Sequence, residues 1–201
     1  MPNHLETREA AYAEAIRNGR LKMLLVLAVC AAPVIASYVS FYFLKPEGRT
    51  NYGAIVEVKP LFASVLTLLD GKPFELREFK GKWVLVMQDS GDCPEACIKK
   101  LYAMRQVRLM QGKDRDRIER AWLITDDAAL STMTMREYDG TRMLRARGAA
   151  LLKEFPAPQR AEDHVYLIDP LGNLVLRFPK DADPARMKKD LDRLLKYSRI
   201  G

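Results

Sequence analysis

From Met23 to Leu44 the chain reads MLLVLAVCAAPVIASYVSFYFL, a run of about 22 residues without a charge. At about 1.5 Å per residue such a run crosses a bilayer core as a helix. It limits what the 201 residues can build, because a water-soluble fold must come from the sequence on either side. Pro33 is tolerated inside a membrane helix. Tyr38, Phe41, Tyr42 and Phe43 gather at one end, as interfacial anchors do. The run exceeds the roughly 7–15 apolar residues of a cleaved signal, and the polar lead-in 1–22 carries Glu6, Glu9 and Glu14, unlike an acid-poor transit peptide. An uncleaved anchor over 23–44 is therefore predicted. Arg17, Arg20 and Lys22 precede it, against Lys45 and Arg49 after it. The positive-inside preference then puts 1–22 in the cytoplasm and the body in the periplasm of a bacterium, as a single-pass protein of the inner membrane.

After a connector, 45–59, the body over 60–201 alternates strand-like and helix-like segments. LFASVLTLL (61–69) reads as a strand closing on the turn Asp70-Gly71, and turn chemistry brackets GKPFELREFKGK. WVLVM (83–87) and AWLIT (121–125) are short continuous apolar runs, the mark of strands buried on both faces. A helix is predicted over about 94–112, with a further helical stretch through TRMLRARGAALLKEF (141–155), interrupted at Gly148. HVYLIDPLGNLVLRF (164–178) reads as a hairpin turning over Pro170-Leu171-Gly172-Asn173. The last helix has Asp183 as its cap and Pro184 at the first position, with Met187, Leu191, Leu194 and Leu195 as its apolar stripe. The pattern is α/β: one domain with a central sheet flanked by helices, on a tether.

The net charge of +7 comes mainly from the body, most densely from KKLYAMRQVRLMQGKDRDRIER (99–120). Such a run reads as a solvated helix face near anionic lipid, or a surface for an acidic protein partner. No nucleic-acid motif accompanies it, and the predicted compartment excludes nucleic acid as a partner.

The chemistry lies in DSGDCPEACIKK (89–100). Cys93 and Cys97 are two of only three cysteines; the third, Cys30, falls in the anchor as a small apolar residue. Cys93 sits where a strand hands over to a helix. Cys97 is four residues on, so both sulfurs share one face near the helix N-terminus, where unpaired N–H groups favour thiolate over thiol. Three roles stay open. A structural disulfide closing so short a loop stabilises little. A dithiol redox pair fits, with Cys93 as nucleophile and Cys97 as resolving thiol. The body holds too few cysteines and histidines for structural zinc or an iron–sulfur cluster. A soft ion of low coordination number, such as Cu(I) on Cys93, Cys97 and the body's single histidine, His164, fits the inventory. Thr132–Met135 (TMTM) reads as packing methionine, and Asp89, Asp92 and Glu95 as solvated loop acids or modulators of the pair. Asp126 and Asp127 follow a strand end, where acids cap helices.

The segment FKGKWVLVMQDSGDCPEACIKKL (79–101) resembles the Sco/SenC family: Gly-Lys, apolar strand, Cys-Pro-acid-x-Cys, helix. DHVYLIDPLGNLVLRF (163–178) is similar to that family's second block, an Asp-His followed by Tyr-Leu-Ile, Pro and Gly. The likeness spans about residues 60–197, with these two blocks its specific part. Here QDSG precedes the first cysteine in place of the family's aromatic lead-in, Ile98 stands where a proline usually follows the second, and His164 lies closer to Tyr166 than the family's histidine does to its tyrosine. The resemblance implies a thioredoxin-like fold and a membrane-anchored copper chaperone for cytochrome c oxidase assembly. Cys93 and Cys97 match the copper thiolates and His164 the third ligand, for one copper per chain. An oxidase subunit is then the partner, receiving copper or having its cysteines reduced. A periplasmic thiol–disulfide oxidoreductase and a non-catalytic scaffold that binds oxidase subunits are the alternatives.

Overall fold

A computed structural model describes residues 4–43, 51–198 and 200, with side chains over 17–42, 51–198 and 200. The chain divides into two units, Met1–Arg49 and Thr50–Gly201. The described part of the first is the helix α1, His4–Phe43, with Pro33 inside it. Its stretch Arg17–Tyr42 is long and apolar enough to cross a membrane, and Leu24, Leu25, Val29, Ile35 and Phe41 are all exposed. An apolar surface of this extent is costly in water and suited to lipid. Lys45 and Arg49, which carry the charge comparison across the anchor, lie outside the described residues.

The second unit is built on one eight-stranded sheet. Its strands are β1 (Ala54–Pro60), β2 (Val65–Leu68), β3 (Pro73–Glu75), β4 (Trp83–Asp89), β5 (Ile118–Ile124), β6 (Arg142–Arg145), β7 (Val165–Ile168) and β8 (Asn173–Arg177). They lie in the order β1-β8-β7-β4-β5-β6-β2-β3. The pairs β4–β5 and β5–β6 are parallel and the rest antiparallel. The helices are α2 (Glu95–Met110), α3 (Thr132–Glu137) and α4 (Pro184–Tyr197).

Every residue of β4 is buried, which explains the apolar run WVLVM over its first five positions: both faces of this central strand are covered. Trp83, Leu85 and Met87 face one core with Leu101, Met104 and Val107 of α2 and Met187 and Leu191 of α4. Val84 and Val86 face a second core with Phe74, Phe79, Leu151 and Phe155. The cap of α4 forms as the sequence predicts, with the Asp183 carboxylate accepting from Ala185 N at 2.9 Å and Pro184 at the helix start. The hairpin β7–β8 turns over Pro170–Gly172 as predicted. Gly172 has φ +94°, and a Cβ there would overlap the Phe62 ring.

Two expectations change. The stretch 141–155 is no helix: it holds β6, then a 3-10 turn, Ala150–Glu154. Met143 and Leu144 are buried in opposite cores, a period of two that the flanking arginines disguise. The connector 45–59 ends in structure as well. β1 pairs with β8 from Ala54↔Arg177 onward, Gly53 N donates to the buried Asp190 at 2.8 Å, and Arg186 stacks over Tyr52 at 4.0 Å. Thr132–Met135 forms most of α3, with Met135 packed on the core and Met133 exposed.

Candidate thiol and metal site

Three chain segments meet at one end of the sheet. β4 and β5 run parallel, so both deliver their carboxyl ends there; β7 runs antiparallel to β4 and begins there, with Met87↔Val165 as the last registered pair. The loop 90–94, the loop after Ile124 and the turn before His164 are therefore neighbours by topology.

Cys93 leaves that loop in the left-handed region, φ +45°, which non-glycine residues rarely adopt and which concentrates at working sites. Pro94 is the extended N-cap of α2 and not its first helical residue, so the helix starts one position later than the predicted 94. Cys93 and Cys97 form a disulfide with Cα atoms 5.0 Å apart. Cys97 has no exposed surface and Cys93 keeps 8%, so Cys93 is the more accessible residue of the pair.

The loop is clamped from β5. Asp126 accepts from Gly91 N at 2.9 Å and from Ala128 N at 3.1 Å. The Ser90 hydroxyl hydrogen bond and then the Gly91 N–H hold its carboxyl below the usual range. Gly91 is required here, since a Cβ would lie 2.6 Å from the Ala128 carbonyl oxygen. Arg145 closes the clamp from β6, donating to the carbonyls of Asp126 and Ala128 at 3.2 and 2.9 Å.

His164 is buried and follows a 3-10 turn, Ala161–Asp163. Its Nδ1 lies 2.8 Å from the Phe178 carbonyl oxygen. A carbonyl only accepts, so Nδ1 carries the proton and the neutral ring presents its lone pair at Nε2. Burial pushes its pKa below the ordinary histidine value, against the raising effect of the Phe178 bond. This is the state of an imidazole prepared to bind a metal or accept a proton. With the disulfide closed, no group of three His, Cys, Asp or Glu side chains among the described residues is arranged to hold an ion. Asp92 is exposed in the loop, and Glu95, read as a loop acid, is exposed in the first turn of α2, where it pairs with Lys99 at 2.9 Å.

Sequence reasoning missed Lys100. Read as part of a solvated basic face, it is 8% exposed. Its ammonium donates to Asp89 Oδ2 at 2.7 Å, to the Gln88 carbonyl at 3.4 Å and to the Glu162 carbonyl. Asp89, read as a loop acid, is the buried partner, and its other oxygen accepts from Ser90 N at 2.9 Å. The sequence signal was spacing: Lys100 lies three residues after Cys97, on the same helix face, whereas Lys99 points away. A cavity of about 360 Å³ opens alongside, lined by Ile98, Tyr102, Ala103, Val165 and Pro179.

No curated protein matches the chain in sequence. Solved structures share its fold at low identity. Apo Sco1 from Thermus thermophilus is 20% identical, with a TM-score of 0.57, covering 72% of this chain and 96% of that one. Yeast Sco1 with copper bound is 17% identical, TM-score 0.56, covering 70% and 96%. MTB dsbF, solved in mixed oxidised and reduced forms, is 16% identical, TM-score 0.50, covering 69% and 99%. The fold is thioredoxin-like, on a chain with an N-terminal helix fit to span a membrane. Residues 83–198, from the first residue of β4 to the C-cap of α4, match the model of the transmembrane-like, thioredoxin-like, C-terminal domain family, and the chain belongs to that family.

Proposed function

We propose that this is a membrane-anchored, Sco-like thiol protein that works on the cysteines of a cytochrome c oxidase subunit from the periplasmic side of a bacterial inner membrane. The observation that carries the reading is the Cys93–Cys97 disulfide at the head of α2, with Cys93 held in a left-handed conformation and the better exposed of the two. In the reduced protein the Cys93 thiolate attacks a partner disulfide, forming a mixed disulfide and releasing one partner thiolate. Cys97 then attacks the Cys93 sulfur, restoring the intramolecular bond and releasing the second. Two electrons pass from the pair to the partner. The opposite direction runs through the same mixed disulfide.

Copper enters this reading as cargo. Reduction frees two soft sulfur donors, which suit Cu(I), and the Nδ1–Phe178 bond of His164 leaves Nε2 as a nitrogen donor. The residues fit the ion chemically, with Cys93 and Cys97 as its holders and His164 as the third. The copper-bound yeast Sco1 fold and the redox-active dsbF fold support the two halves of the proposal at the level of architecture.

The test is a titration of the full-length reduced protein in detergent with Cu(I) against a competing chelator, beside a glutathione equilibrium of the pair. One tightly held Cu(I), lost in Cys93→Ser and in Cys97→Ser, is expected, together with a reversible disulfide. A protein that ignores copper yet reduces disulfides is a thiol–disulfide oxidoreductase. One that does neither is a scaffold. His164→Ala should weaken Cu(II) binding more than Cu(I), because Cu(II) depends more on nitrogen donors; unchanged Cu(II) spectra would remove His164 from the site.

A further inference from the structure

Lys100 joins three pieces of chain that the sequence keeps apart. Its ammonium has three N–H donors, and each finds an acceptor: the Asp89 carboxylate and the Gln88 carbonyl at the end of β4, and the Glu162 carbonyl in the turn before His164. Lys100 stands one turn beyond Cys97 on α2, so the helix that carries the disulfide is the helix that carries this ammonium. The turn on the other side is short and stiff: Asp163 N donates to the Arg160 carbonyl and His164 N to the Ala161 carbonyl, both at 3.2 Å. A pull at Glu162 therefore reaches His164 through two residues of a 3-10 turn. His164 is held from its other side by the Phe178 carbonyl at 2.8 Å.

We propose that Lys100 is a positioning residue that couples the state of the Cys93–Cys97 pair to the His164 turn. The inference rests on the pair being the working site. Opening the disulfide removes the bond that ties Cys93, in its left-handed conformation, to the first turn of α2, and that turn relaxes. Lys100, one turn on and bonded to both β4 and the 161–163 turn, carries that displacement to His164. Without the ammonium, Glu162 and the helix have no shared partner at this point, and the turn stays where Phe178 holds it.

The test is amide NMR on the ¹⁵N-labelled full-length protein in micelles, disulfide closed and then opened with a strong phosphine. Chemical reduction makes the outcome independent of whether the pair cycles at biological potentials, which the glutathione equilibrium measures separately. In the wild type, reduction should shift the amides of the first two turns of α2 and also those of Glu162, Asp163 and His164. In Lys100→Met the α2 shifts remain and the Glu162–His164 shifts are lost; Lys100→Arg, which can still reach the carbonyl, restores them. Because Lys100→Met orphans a buried carboxylate, Asp89→Asn combined with Lys100→Gln provides a second, uncharged variant that also loses the shifts at the turn. A wild-type turn that does not respond to reduction overturns the proposal, as does a turn that responds fully in both variants.

Discussion

Lys100 and Arg120 are both buried cations in the second unit, at 8% and 5% exposure, and their surroundings differ sharply. Lys100 spends all its donors on a carboxylate and two carbonyls. Arg120, on the face of β5 that carries Ile118 and Trp122, donates from Nη2 to the Asp139 carbonyl at 2.7 Å, but its Nε and Nη1 have no partner among the described residues. Neither does Thr141 Oγ1, just before β6. Burial first, then the nearby Arg108 and Arg105, lower the guanidinium pKa. A buried charge stabilises a fold only when its neighbours replace the water it lost. The region around Lys100 meets that condition at the end of the sheet where the cysteines sit; the region around Arg120 does not.

Removing each charge should therefore give opposite results. Lys100→Met leaves a buried carboxylate and two carbonyls without their donor, and breaking such a pair costs about 3–5 kcal/mol. For a domain of this size that is a fall in Tm on the order of 10 °C, read by thermal unfolding of the full-length protein in detergent. Arg120→Met keeps volume and discards an ill-satisfied charge, so its Tm should stay within about 3 °C of wild type or rise. Equal losses in the two variants would break the comparison and show that Arg120 has partners in solution.

Gly91→Ala tests the same end of the sheet with no charge involved. The added methyl would meet the Ala128 carbonyl at 2.6 Å, a backbone contact that cannot swing aside, for a cost of about 1–3 kcal/mol. The expected fall in Tm is smaller than that of Lys100→Met and larger than that of Arg120→Met, and it should come with a changed glutathione equilibrium of the pair. A shift in Tm alone, with the equilibrium untouched, would mean that the loop clamp does not reach the sulfurs.

What the sequence disclosed about this end of the molecule followed from distance along the chain. β4, α2 and the cap of α4 are written in local pattern: the five-residue apolar run WVLVM at the start of β4, a Cys-Pro step, an Asp-Pro start. The hairpin β7–β8 is likewise local. β6 stayed hidden because Arg142 and Arg145 bracket its two buried residues, and only pairing with β5 makes it a strand. Lys100 and Asp126 were hidden for the same reason. Lys100 meets Glu162 across 62 positions and Asp126 meets Gly91 across 35, so neither partner lies in any window a periodicity reads. Charge in a basic run looks solvated until the fold supplies a buried acceptor. The cysteines and His164 stood out in the sequence as candidate chemistry; the hydrogen bonds from Asp126 and Lys100 around them did not.

A small effect of a different kind is expected at Asp126, and it separates the clamp from the Lys100 latch by pH. The carboxyl of Asp126 lies below its ordinary value of 3.8 because the Ser90 hydroxyl and the Gly91 N–H bond to its charged form. A carboxyl with a depressed pKa in the folded state binds fewer protons there than in the unfolded chain. Its contribution is therefore complete above about pH 4 and disappears as the pH falls through the depressed value. Asp126→Asn cannot titrate, so the Tm difference between wild type and variant should be constant from neutral pH down to about 4.5 and shrink below it. The side chain is only partly buried, so the plateau should be modest, a few degrees at most. The same variant, by loosening Gly91, should speed alkylation of the reduced Cys93 at neutral pH, while in the oxidised protein the Glu162–His164 amides stay unmoved, since the disulfide still holds the first turn of α2. A Tm difference that stays constant to pH 3 would mean that the Asp126 carboxylate contributes no charge-dependent bond to the loop, and the clamp would then rest on Arg145 and the Gly91–Ala128 contact alone.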